Sequence, residues 1–491
     1  MWAASTREAG RRTPKPILEV PNAPRTGRVP RGRIGSLPKR SGDVVTDRAP
    51  EERGEEGMDR RSFLRTGAGG VALATPLAGL LSACDAPAVL RYARGSRVVV
   101  VGAGAFGGWT ALHLQEAGAR VTLVDLYGPG NSRATSGDET RGIRTGYPGR
   151  DLWTRWASRA IERWREFDDE WAPVLGGRLF FSAGNLILRE ELQGELEETR
   201  ETWDRAGIRY EVLDGEEVSY RWPQIRPGEL QAALFEPEAG VVRSRAACQR
   251  VAEVFRRRGG EIRIGRAAPD PGSGEGGRLA SVTLEPDERV EGDLFVFALG
   301  PWFPKAFPAL MEDRMRIPMG HVFYWGTPPG DGRFAHPNMP SWSVPGVTGW
   351  PTYPPDHRGF RIRTGGRPGE DPDASDRAIP PDAFERPREV LEARFPDIAD
   401  QPVLETRACH YETSVTREWF IDRHPEWENV WLAGGGSAEG FKFGPVLGDF
   451  IARRVTGHED HPELEEEFRI RDEDLAMDGP GRWPTAEPDV A

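Results

Sequence analysis

The chain has 491 residues, 38% hydrophobic and 29% charged, with a formal net charge of -12. That length suits a soluble protein with a large core and two domains, and the acidic balance gives no reason to expect nucleic-acid binding. Three cysteines, Cys84, Cys248 and Cys409, are too few for a disulfide framework, and no internal repeat or membrane-spanning run of about 20 apolar residues is present.

Residues 1–57 are rich in Arg, Pro and Gly without apolar periodicity, so they are expected to stay disordered. At Met58 the composition changes. Arg60-Arg61 is followed by Phe63-Leu64 and a small, apolar stretch from Gly67 to Leu81. This resembles a Tat export signal, and Leu81-Ser82-Ala83-Cys84 resembles a bacterial lipobox. The alternative is an ordinary apolar helix. The export reading implies passage through the Tat machinery to the periplasmic or cell-envelope side, with membrane attachment only through a lipid on Cys84. It also places the true start at Met58, with residues 1–57 an upstream artefact.

Four valines, Val98 to Val101, then enter Gly102-Ala103-Gly104-Ala105-Phe106-Gly107. A helical pattern follows, and a second apolar run ends on Asp125. A continuous β-branched run suits a parallel strand buried on both faces. The glycines let the backbone turn tightly against a pyrophosphate, and the next helix aims its first N–H groups at it. Asp125 stands where a carboxylate accepts hydrogen bonds from a ribose. The spacing therefore predicts a dinucleotide-binding βαβ unit, against the alternative of a glycine-rich turn that binds nothing.

A polar loop from Asn131 to Tyr147 carries Arg141 and Arg144. Trp153, Trp156, Ile161, Trp164 and Phe167 recur at helix spacing and read as core. Leu179 to Leu188 reads as a strand pair around Gly184, and residues 190–206 as a charged surface helix. Residues 238–265 read as a further βα-type unit joining the sheet. Asp293 to Trp302 reads as a buried strand ending at Gly300. Residues 310–400, Pro-rich and aromatic, read as an antiparallel sheet forming a substrate domain. A last buried strand, Val430 to Ala433, opens into Gly434-Gly435-Gly436, and Gly440-Phe441-Lys442-Phe443-Gly444-Pro445 enters a helix. Beyond about residue 456 an acidic, loosely attached tail is expected. No metal-ligand cluster or nucleophilic triad emerges.

Three blocks now carry a family resemblance: the glycine turn through Asp125; Gly137-Asp-Glu-Thr-Arg141-Gly-Ile-Arg144; and Arg407-Ala-Cys409-His-Tyr411 through Phe420-Ile-Asp422 to Gly440-Phe-Lys442-Phe. From about Arg97 to Val455 the chain resembles the glycine-oxidase/D-amino-acid-oxidase superfamily of flavoproteins, most of all its monomeric sarcosine oxidase and N-methyltryptophan oxidase branch. The resemblance implies an α/β protein: a Rossmann-like FAD-binding domain of the glutathione-reductase type, with a mainly antiparallel α+β substrate domain. The expected FAD-binding segments are 96–176, 237–307 and 403–456; the substrate domain takes 177–236 and 308–402, and the acidic tail 457–491. A monomer is expected.

The resemblance further implies FAD joined covalently to Cys409, where the residue alone would read as a buried free cysteine. It places Gly102, Gly104, Ala105, Phe106, Gly107, Asp125, Ser136, Arg141, Gly300, Trp302, Cys409, Gly435, Gly440 and Lys442 at the cofactor. Arg144 and Lys442 match the pair that holds a substrate carboxylate, Arg141 a residue beside the flavin, and Tyr411 a wall of the substrate cavity. Taken singly, each of these cations also reads as a member of an ion pair. Arg361 stands where the branch has a lysine that assists the reaction with oxygen, and residues near Thr348 and Gly365 depart from the branch's small-substrate pocket.

Three functions follow as expectations. The first is an oxidase that turns the C–N bond of a secondary or N-methylated amino acid into an imine and reduces oxygen to hydrogen peroxide. The second is a membrane-tethered amine dehydrogenase passing electrons to a quinone or cytochrome. The third is a non-catalytic FAD lipoprotein that binds an amino-acid-like ligand.

Overall fold

A computed structural model describes residues 94–472 and 475, apart from 368, 370, 459 and 460. The readings at residues 1–57, at Arg60-Arg61 and at Cys84 lie outside the described residues.

The valine run forms the strand Arg97–Val101, and its two faces enter two cores. Val98 and Val100 pack with Trp109, Leu112 and Phe255, whereas Val99 and Val101 pack with Phe295, Phe297 and Phe303. Burial on both faces is what a continuous apolar run requires. The strand lies in a six-stranded sheet ordered Phe420–Arg423, Val430–Gly434, Leu294–Phe297, Arg97–Val101, Arg120–Asp125, Glu261–Ile264. Five strands run parallel, and Phe420–Arg423 pairs antiparallel at one edge. The helices Ala105–Glu116, Ser244–Arg257 and Gly444–Val455 share the core on one face. A Cβ on Gly444 or Gly448 would collide with Trp109, so the first and last of these helices approach closely because glycine faces an indole.

The second layer is an eight-stranded sheet ordered 403–410, 319–325, 360–367, 347–350, 341–344, 185–189, 232–236, 211–214. Every neighbouring pair is antiparallel except Ser341–Val344 with Asn185–Arg189. The α/β class and the pairing of a Rossmann-like domain with a mainly antiparallel one are as the sequence predicts.

Four local readings need correction. Leu179 to Leu188 holds the two expected strands, but they do not pair with each other: Phe180–Ser182 pairs with Gly240–Val242, while Asn185–Arg189 enters the large sheet. Gly184, at φ +83°, makes the switch, and a side chain there would strike the Phe235 ring. Within the polar loop, Arg141–Ile143 is a short strand, also paired with Gly240–Val242. The segment that begins at 403 starts as an edge strand of the large sheet, because Met319 to Trp325 pairs along it. The tail is packed at least to Ile470: Leu464 and Phe468 are buried, and Asp422 accepts the Ile470 N–H at 3.0 Å.

Candidate functional site

Two cavities meet between the sheets. The larger, about 330 Å3, follows the C-terminal ends of the parallel strands. Gly102, Gly104, Ala105, Phe106, Asp125, Ser136, Arg141, Gly300, Trp302 and Gly440 all line it. The smaller, about 110 Å3, is lined by Arg141, Arg144, Arg361, Cys409, Tyr411 and Lys442, among others. Thr135, Arg141, Ala438 and Phe441 line both, so these four residues form the wall the two cavities share.

The larger cavity has the features a dinucleotide needs. Gly102 sits at φ +107°, and a Cβ there would collide with Ala298 O. Gly104, the N-cap of the first helix, has no side chain to bond the first-turn N–H groups, and Ser136 Oγ accepts that of Ala105 at 3.1 Å. The positive end of that helix therefore lies open beside the glycine turn. Asp125 Oδ2 accepts Ala103 N–H at 2.7 Å, and Oδ1 accepts Tyr127 and Gly128 N–H at 3.0 and 2.7 Å. Its carboxylate thus braces the turn as well as facing the cavity, and burial raises its pKa. Glu412, also on this wall, is pushed up by burial while accepting Thr135 Oγ1–H and Gly436 N–H.

Four residues expected at the cofactor, Gly107, Gly435, Cys409 and Lys442, do not line the larger cavity. Gly107 is needed for packing: a Cβ there would collide with Gly102 O. Gly435, at φ +72°, turns the chain after the last parallel strand, against Phe420 and Glu418. Cys409 and Lys442 face the smaller cavity rather than the larger one. Cys409 still reaches the junction, with its Sγ 3.5 Å from Arg141 Nη2.

The smaller cavity carries a surplus of positive charge: Arg141, Arg144, Arg361, Arg363 and Lys442 against Asp138 and Glu439. Asp138, fully buried, receives Arg141 at 2.7 Å and Arg361 at 3.0 Å. Burial opposes its ionisation, but Arg141, Arg361 and Arg407 outweigh burial and hold its pKa well below the carboxylate range. The Arg361 guanidinium also stacks on Trp350, 3.9 Å from the ring centroid. Lys442 is presented by the turn Gly440–Phe443, whose backbone is held by Trp164 Nε1 donating to Lys442 O at 2.9 Å. The aromatic stripe read as core therefore also buttresses the site, since Phe443 packs between Tyr147, Trp153 and Trp419.

Arg144 and Lys442 face the same cavity as expected, but a carboxylate stands between them. Glu439 takes a hydrogen bond from Tyr147 OH at 2.9 Å, contacts Lys442 Nζ, and lies 3.4 Å from Arg144 Nη2. Burial disfavours the Glu439 charge, yet Lys442 and Arg144 hold its pKa down to about 2. Burial brings Lys442 down to about 8 against the attraction of Glu439, and Arg144 adds to the drop. Both groups are charged at neutral pH, because each value leaves its own charged form dominant there. Behind them, Glu236 accepts Thr145 N–H at 3.1 Å and Thr145 Oγ1–H at 2.8 Å, and burial lifts it to about 7.

The sequence reading missed Glu439, Tyr147, Glu236 and the role of Asp138. Two carried a signal in their spacing: Glu439 is three residues before Lys442 and Tyr147 three after Arg144. Asp138 likewise stands three residues before Arg141, but its pairing with Arg361, and all the neighbours of Glu236, come only through folding.

A parallel sheet with a helix end beside a glycine turn, and a cationic cavity sharing four wall residues with the larger one, suit a dinucleotide-dependent enzyme. The chain belongs to the FAD dependent oxidoreductase (DAO) family, whose pattern matches residues 97–454. It is 25% identical over 378 residues to peroxisomal sarcosine oxidase of Homo sapiens, covering 72% of this chain and 90% of that protein. It is 25% identical over 363 residues to N-methyl-L-tryptophan oxidase of Yersinia pestis, covering 72% and 93%. Its fold matches the crystal structure of fructosyl amine:oxygen oxidoreductase (Amadoriase I) from Aspergillus fumigatus, with a TM-score of 0.66 and 18% identity over 78% of this chain and 91% of that one. The chain is therefore an FAD-dependent oxidoreductase. Among the described residues no group of acids, histidines or cysteines could hold a metal ion, and no helix is long and apolar enough to cross a membrane.

Proposed function

We propose that this enzyme oxidises the C–N bond of a secondary or N-methylated amino acid to an imine and passes the electrons to oxygen, giving hydrogen peroxide. The observation that carries the reading is the pair Arg144 and Lys442 in a cationic cavity that shares Arg141 with the dinucleotide cavity. Arg144 offers the planar fork that suits a carboxylate. Arg141 supplies positive charge at the shared wall, and the helix Gly444–Val455 begins two residues after the cavity-lining Lys442. When bound, FAD supplies the two-electron acceptor. The chain's own groups hold the carboxylate, orient the carbon beside nitrogen and keep that carbon out of bulk water. The amine nitrogen must be unprotonated, because an ammonium cannot release hydride equivalents. Covalent attachment of FAD to Cys409 is part of the proposal, supported by the position of its sulfur at the junction of the two cavities.

A second reading, transfer to a quinone or cytochrome, draws support from Arg361. Its guanidinium is tied to Asp138 and stacked on Trp350, so it lacks the mobile, proton-labile ammonium of a lysine. Export through Tat with a lipid on Cys84 would set the enzyme beside such acceptors, and rests on the motifs at Arg60-Arg61 and Cys84.

Anaerobic mixing with a panel of N-methyl amino acids, followed by admission of oxygen, tests the function. Bleaching of the flavin followed by peroxide is the expected result. Bleaching that only a dye or quinone reverses selects the second reading. Failure of every amine to bleach the flavin sinks both and leaves the non-catalytic binding protein.

A further inference from the structure

Glu439 occupies the place where a substrate carboxylate is expected. Its side chain is 28% exposed and lines the smaller cavity beside side chains of Arg144 and Lys442 that are 12% and 6% exposed. One oxygen is shared between Lys442 Nζ and Tyr147 OH, and Lys442 Nζ in turn donates to Tyr147 OH at 2.6 Å. Lys442, Tyr147 and Glu439 thus form a closed triangle. Arg144 meets it only at the long edge, 3.4 Å from the other Glu439 oxygen, and its Nη1 donates to Gly146 O at 2.8 Å.

We propose that Glu439 is a resident carboxylate that sets the substrate class of this site: it engages Lys442, leaves Arg144 to take a single substrate carboxylate, and rejects substrates with a second one close by. The inference rests on the reading of Arg144 as a ligand of the substrate carboxylate, and it revises the part of Lys442, which Glu439 engages. Within the Arg144–Lys442–Glu439 cluster, two cations and one fixed anion leave one unit of positive charge beside Arg144 for a ligand. A monocarboxylate cancels it. A second carboxylate on a neighbouring carbon would stand against Glu439 in a site with little water to screen the repulsion. The class selected is therefore N-substituted amino acids with neutral side chains, and those of the aspartate or aminomalonate type are disfavoured.

Binding of acetate and malonate to the full flavin-loaded chain at neutral pH, followed by calorimetry, tests this without any turnover. Wild type is expected to bind acetate more tightly than malonate. Glu439→Gln keeps the shape and removes the charge, and is expected to reverse that order, moving the affinity ratio by at least about tenfold. Glu439→Asp keeps the charge and is expected to keep the wild-type order; Glu439→Ser replaces Gln if the amide variant does not fold. An unchanged ratio, with acetate still bound, overturns the inference and leaves the clamp standing. Acetate binding that Arg144→Ala does not weaken overturns the clamp itself.

Discussion

Arg141 Nη2 lies 3.5 Å from Cys409 Sγ, across 268 residues of sequence. Arg141 comes from a short strand beside the Rossmann-like domain, and Cys409 from the edge strand of the large sheet. The contact lies at the wall shared by the two cavities, where Arg141 lines both and Cys409 lines the smaller. A positive group at that junction is suited to a developing negative charge on a bound ring.

If Cys409 carries the flavin, acid precipitation of wild type leaves the yellow colour in the pellet. Cys409→Ala releases it to the supernatant or loses it during purification. Colour released from the wild type would remove the covalent link and leave the rest of the site intact.

Asp138 is the anion on which Arg141 and Arg361 converge, and it and Arg361 are each 1% exposed. Asp138→Ala leaves both guanidinium groups without their carboxylate in a dry place. Urea unfolding is expected to show a loss of about 3–5 kcal/mol, the range for a broken buried pair.

Glu236 is a buried acid lifted from 4.5 to about 7. A raised folded-state value means that the unfolded chain ionises first, so stability falls as pH rises from 4.5 to 7 and the cost is complete above 7. Glu236→Gln removes the ionisation. Thermal melts are expected to coincide below pH 4.5 and to favour the variant increasingly up to neutrality, by about 3 kcal/mol at the upper limit. Parallel curves across that window would contradict the assignment.

Arg144→Gln is expected to raise KM for the amine substrate by roughly ten- to hundred-fold, the equivalent of one charge-assisted hydrogen-bonded contact of about 1.5–3 kcal/mol. A fall in kcat with unchanged KM would place Arg144 elsewhere in the reaction. Steady-state assays with saturating and limiting amine separate the two.

The glycine turn gives a test that needs no substrate. Gly102→Ala asks an L side chain to take φ +107° and to overlap Ala298 O. The expected result is protein purified with little flavin, read from the ratio of flavin to protein absorbance. Full retention of flavin would show that the strand end can shift to make room.

Much of this protein is legible in its sequence. Val98 to Gly107 and Asp125 announce their strand, turn and helix because both-face burial, tight turning and an acidic strand end each demand particular residue types. The motifs around Arg144, Cys409 and Lys442 likewise identify the cationic cavity. The two strands around Gly184 are present but lie in different sheets, because alternation specifies a strand and not its partner. The loose tail failed because Leu464 and Phe468, two apolar residues in an acidic stretch, find a prepared core.

The sequence by itself determined a dinucleotide-binding turn, whose geometry is local, and the family resemblance its motifs carry gave the cofactor class; it also singled out the cations that line the smaller cavity. Only the tertiary structure decided how those charges are balanced. Asp138 meets Arg361 across 223 residues and Glu439 meets Arg144 across 295. The field inside a buried site depends on distances of a few ångström between groups far apart in the chain, where one carboxylate decides whether a pair of cations is open to a ligand or already engaged.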